Sequence, residues 1–79
     1  MKINDLRKVL RTDVVLYVEG QGYFKYEMWG LNDYDNTLAD YRLVDVDKRT
    51  GDTMFLDYGD YIIDRVETVN GLLMITIHK

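Results

Sequence analysis

Residues 61–78 read YIIDRVETVNGLLMITIH, and this stretch decides the fold. Two runs rich in Ile, Val and Thr flank Asn70 and Gly71, the favoured pair for a two-residue type I′ hairpin turn. That turn sets Val69 opposite Leu72, Glu67 opposite Met74 and Val66 opposite Ile75. Strands are expected over 61–69 and 72–78, with Ile62, Val66, Leu73, Ile75 and Ile77 on one face. A slip of one residue would turn the whole set to solvent, so the register is strongly specified.

Upstream, strand patterns recur over 13–19, 23–31, 41–47 and 53–57, separated by turn residues around Gly20, Gly51 and Gly59. In 23–31 the faces divide into Phe24, Tyr26 and Met28, expected inside, and Tyr23, Lys25, Glu27 and Trp29, expected as a half-exposed aromatic face. Residues 32–40 carry Asn and Asp without strand alternation and read as a loop. At the start, Ile3, Leu6 and Leu10 follow helical spacing, with Asn4 as N-cap, which predicts a helix over 4–11. The expected fold class is α+β. A short N-terminal helix precedes a five- to six-stranded, strongly bent antiparallel sheet or small open barrel, in one domain over 1–79.

With 79 residues the chain has room for one small domain, which buries only about 60–65% of its unfolded surface. Such scaffolds lean on disulfides, a metal or a partner chain. There is no Cys, no Pro and no Ser, and a single His at position 78. A disulfide framework, a thiolate metal site, a Ser or Cys nucleophile and a His-rich cage are therefore excluded. Asp33 with Asp35 and Asp45 with Asp47 form Asp-x-Asp pairs, but an EF-hand would need a ligand at Arg49 and Gly at Thr50. No cofactor, no metal and no enzymatic activity are expected. The longest apolar run, Val14 to Val18, is far below the ~20 residues that span a bilayer. Seven charged side chains in the first twenty residues leave no signal-peptide core, so a cytoplasmic protein is expected.

Charge is unevenly placed. Residues 1–11 carry four bases and one acid, whereas 32–64 carry nine Asp against three bases. Four of the seven tyrosines directly follow an Asp: Asp33–Tyr34, Asp40–Tyr41, Asp57–Tyr58 and Asp60–Tyr61. A rigid ring with a polar tip beside a carboxylate suits a basic protein surface. The candidate partner-binding residues are Asp33, Tyr34, Asp35, Asp40, Asp57, Tyr58, Asp60 and Tyr61. Asp is also a turn former and Tyr a residue that snorkels at strand edges, so the sequence leaves both explanations standing.

A second reading comes from Tyr23, Phe24, Lys25, Tyr26 and Trp29, where aromatics surround a base. The stretch resembles the base-stacking strand of cold-shock and other oligonucleotide-binding barrels, which implies a single-stranded nucleic-acid partner. The net charge of -4 opposes phosphate binding. A third reading is a self-associating assembly module, a homodimer through a sheet edge.

The opening Met1, Lys2, Ile3, Asn4, Asp5 and Leu6, followed by the strand Val14 to Val18, resembles the start of small phage-encoded type II anti-CRISPR proteins. The resemblance covers the first eighteen residues. It implies a small acidic inhibitor whose partner is a CRISPR effector nuclease, a class that holds nucleic acid in a positively charged channel.

Overall fold

Val14, Leu16 and Val18 are buried while Val15 and Tyr17 are half-buried, the two-residue period of a strand with one covered face. This strand, β1 (Val14–Val18), is the centre of the protein. The computed structural model describes residues 1–31, 35 and 37–79. The remaining elements are a 3-10 turn (Ile3–Leu6), β2 (Gly22–Leu31), β3 (Ala39–Leu43), α1 (Met54–Tyr58), β4 (Ile62–Val69) and β5 (Leu72–His78). The strands form one five-stranded sheet in the order β3-β2-β1-β5-β4.

The final hairpin has the expected register, with Val69 opposite Leu72, Glu67 opposite Met74 and Val66 opposite Ile75. Asn70 and Gly71 take φ of 51° and 80°, both positive as a type I′ turn requires. Asn tolerates that region and Gly enters it freely, but a β-branched side chain does not. Gly71→Val is expected to lower stability by about 1–2 kcal/mol in a urea melt, and Asn70→Gly to change it far less.

The sheet is mixed, not antiparallel. β1 runs parallel to β5, Val14 beside Leu73, Leu16 beside Ile75 and Val18 beside Ile77. After β3 the chain crosses one face of the sheet through α1, enters β4 at the far edge and returns as β5 beside β1. The sheet is open and its covered face packs on α1 and the 3-10 turn. Between them lie Ile3, Leu10, Val14, Leu16, Val18, Tyr26, Ala39, Tyr41, Met54, Phe55, Ile75 and Ile77. Leu16, Ile75 and Ile77 are fully buried, each worth about 1.5–3 kcal/mol relative to exposure.

Four expectations are corrected by tertiary contacts. The helix over 4–11 is only a 3-10 turn. The N–H groups of Ile3 and Asn4 donate to Tyr61 O and Gly59 O, at 3.1 and 2.8 Å, and Met1 O accepts from Ile63 N. This stitching ties the segment to the chain entering β4, and the bonds from Asp5 N to Lys2 O and Arg7 N to Asn4 O are those of a 3-10 turn. Lys2 is the cap, its N–H bound by Asp5 Oδ2 at 2.8 Å. The spacing still selected the core correctly, since Ile3 and Leu10 are buried and Leu6 packs on them.

Residues 53–57 form no strand. They fall within α1 and its N-cap because the buried Asp52 carboxylate accepts N–H bonds from Phe55 and Leu56, at 2.9 and 3.3 Å, closing a first helical turn. Strand 41–47 ends at Leu43, where Asp45 at φ 67° turns the chain. A bulge at Asp64 shifts the β4 register between Ile63 and Arg65, so Ile63 takes the place opposite Ile77 that unbroken pairing gives Asp64, and Ile63, not Ile62, packs on the core.

Candidate functional site

The Asp/Tyr residues are placed first. Asp33 and Tyr34 lie outside the described residues. Asp35 is exposed and accepts from Thr37 N and Oγ1 at 3.0 and 2.6 Å, which holds its carboxyl below the usual range. Asp40 is buried and pairs with Arg7 at 3.4 Å. Asp57 is exposed and pairs with Arg49 at 2.8 Å. The same Arg49 grips Asp47, whose carboxyl is held well below its ordinary value by that hydrogen-bonded fork. Asp60 is exposed and accepts from Asn4 Nδ2 at 3.4 Å.

The rings of Tyr58 and Tyr61 turn inward. They meet edge to face at 5.0 Å and pack against the core, Tyr58 also touching Phe24 and Tyr26. The Tyr58 hydroxyl donates to Gln21 Oε1 at 3.1 Å, and burial raises its pKa. Burial likewise pushes the Tyr26 hydroxyl above its ordinary value. Residues 57–61 therefore present their carboxylates outward and their rings inward, while Asp40 is interior.

The residues of the second reading divide by strand alternation. Phe24 and Tyr26 point to the core. Tyr23, Lys25 and Trp29 stand on the opposite face of the sheet, which no described helix covers. Cross-strand pairing defines rows on that face. One runs Tyr23, Tyr17, Thr76, Arg65, and the next Lys25, Val15, Met74, Glu67. The Tyr17 and Tyr23 rings lie 4.7 Å apart, tilted by 50°. Trp29 is the extra residue of a bulge between Met28 and Gly30. The bulge aims its ring at Arg42, whose guanidinium lies 3.6 Å above the ring centroid. Arg42 also donates from Nη1 to Arg49 O, while its buried Nε has no hydrogen-bond partner.

Beside this stack is a cleft of about 370 Å³ lined by Glu27, Trp29, Arg42, Asp45, Asp47 and Lys48, with Leu43 at its base. Tyr23 is 68% exposed and Trp29 59%, large rings left in water by the fold. The face carries the bases Lys25, Arg42 and Arg65 beside the acids Glu19, Glu27, Asp64 and Glu67. Sequence reasoning missed Tyr17 and Arg42 as members. The turn spans 19–21 and pairs Tyr17 with Tyr23, whereas a turn read at Gly20–Gly22 sets Tyr17 opposite Lys25, which hid the pair.

Among the described residues no helix is long and apolar enough to cross a membrane. No protein-family model, curated protein or solved structure matches this chain, so the open aromatic face stands as its candidate site on geometry alone.

Proposed function

We propose that this chain is a non-enzymatic binding module that engages a protein partner of basic surface through the open face of its sheet. Trp29, Tyr23, Tyr17 and Arg42 are its anchors. The observation that carries this reading is the pair of uncovered rings, Tyr23 and Trp29, beside a cation already stacked on one of them. Trp, Tyr and Arg dominate binding hot spots because they offer large rigid area at small entropic cost. Four acids share the face with three bases and the chain carries a net charge of -4. That balance repels a phosphate backbone and steers toward a basic rim. The N-terminal resemblance supplies one concrete partner, a type II CRISPR effector nuclease, whose nucleic-acid channel is basic.

The test is binding of the intact chain to an immobilised effector nuclease across a salt series. Tyr23→Ala and Trp29→Ala are each expected to weaken binding about 30-fold, the loss of a hot-spot residue worth about 2 kcal/mol. Asp57→Lys with Asp60→Lys should mainly slow association and flatten the salt dependence. Full affinity in both alanine variants with loss in the double charge reversal would move the site to the end of α1. Quenching of Trp29 fluorescence by single-stranded oligonucleotides, stronger than any effector binding, would favour the nucleic-acid reading. A mass by light scattering that doubles with concentration and falls back in Trp29→Ala would make the occupant a second copy of this chain.

A further inference from the structure

The inference concerns a cluster at the far end of the open face and does not rest on the protein-binding reading. Glu19, Asp64 and His78 come from three different places in the sequence. Glu19 follows β1, and its N–H donates to Ile77 O at 3.0 Å, which continues the parallel pairing and sets it beside His78 on β5. Asp64 is the extra residue of the β4 bulge, so its side chain is re-aimed instead of following the alternation of its neighbours. Asp64 Oδ2 lies 2.7 Å from His78 Nδ1. One ligand atom from each of the three residues lies within 4.8 Å of the other two.

We propose that Glu19, Asp64 and His78 form a three-ligand site for a divalent transition-metal ion, with zinc as its reference occupant. Carboxylate oxygen and imidazole nitrogen are both zinc ligands, and in open sites with three protein ligands water completes the coordination. Donors bound to one zinc ion at about 2.0–2.2 Å stand about 3–3.5 Å apart. The pair at 2.7 Å stands at hydrogen-bond distance and must part by a few tenths of an ångström to admit the ion. Glu19 is exposed and closes the rest by side-chain rotation. The ion takes the place of the hydrogen bond between Asp64 Oδ2 and His78 Nδ1. With one nitrogen and few oxygens, the site disfavours Ca²⁺ and Mg²⁺, which demand more oxygen ligands.

Isothermal titration of the intact chain with ZnCl₂ is expected to show saturable 1:1 binding, and CaCl₂ none under the same conditions. His78→Ala and Asp64→Asn should each weaken Zn²⁺ binding about tenfold or more, within the range typical of lost metal-site partners. Lys8→Gln, exposed and outside both the cluster and the open face, should leave it unchanged. The three ligands are surface residues, and circular dichroism checks that each variant keeps its fold. In NMR, Zn²⁺ should shift the His78 ring protons and the Glu19 and Asp64 amides before all others. No saturable binding, or equal affinity in His78→Ala and the parent, would overturn the proposal and leave the cluster as an ion pair with a nearby carboxylate.

Discussion

Asp52→Ala is expected to cost about 4–6 kcal/mol, a large share of the folding stability. One carboxylate here satisfies four donors. Oδ1 accepts from Arg7 Nη1 at 2.9 Å and from Tyr41 N at 2.9 Å, and Oδ2 accepts from Phe55 N and Leu56 N. It thereby neutralises a mostly buried arginine, caps α1 and ties down the outer edge of β3. Thr53 extends the seal, donating from both N and Oγ1 to Tyr41 O. Alanine would leave the guanidinium only Asp40 and the Ala39 carbonyl, and would take the acceptor from the Tyr41 N–H. Breaking a buried pair from one side costs about 3–5 kcal/mol, with about 1 kcal/mol more for the lost cap. A chain of this length has a stability of about 4–12 kcal/mol in total. A urea melt followed by circular dichroism measures the loss. If Asp52→Ala melts within about 1 kcal/mol of the parent, this carboxylate is not the hub described.

Gly59→Ala is the second large effect, and its cause is space, not backbone angle. Gly59 is buried at the end of α1 with an ordinary φ of -55°. A Cβ placed there would run into the carbonyl oxygen of Phe55 and the side chain of Asn4. The same residue accepts from Asn4 N at 2.8 Å, so α1 and the 3-10 turn approach each other through it. Alanine forces the two apart and strains the contact of Ile3 with the core, at a cost of about 1–3 kcal/mol. Asn4→Ala should rescue a fraction of that loss by removing the movable half of the clash. An unchanged midpoint in Gly59→Ala would show that the two segments separate freely.

The parts of this fold legible in the sequence are those written locally. Asn70 and Gly71 specified the last hairpin residue by residue, because two adjacent positions needing positive φ admit few other turns. Alternation in 23–31 separated Tyr26 from Tyr23 and Trp29, but Met28, expected inside, is exposed beside the bulge at Trp29. Three features escaped because their causes lie far along the chain. The five-residue α1 depends on a carboxylate whose other partners are Arg7 and Tyr41. The parallel pairing of β1 with β5 has no local signal at all. The bulge at Asp64 moved one aliphatic residue into the core and its neighbour out, and it brought together the Glu19, Asp64 and His78 cluster that no spacing rule contains. Among the Asp–Tyr pairs, dipeptide composition does not say which way a ring turns, and at Tyr58 and Tyr61 both turned inward.

The position of β5 has a consequence for biosynthesis. The strand that fills the place beside β1 is made after the other four strands of the sheet. Until it leaves the ribosome, β1 waits with one edge unpaired and its aliphatic side chains half covered, a template for misjoining with neighbouring nascent chains. Closure across so long a sequence separation is slow compared with helix or hairpin formation. Yield in the cell should accordingly respond to translation speed and chaperone supply more than thermal stability alone would suggest.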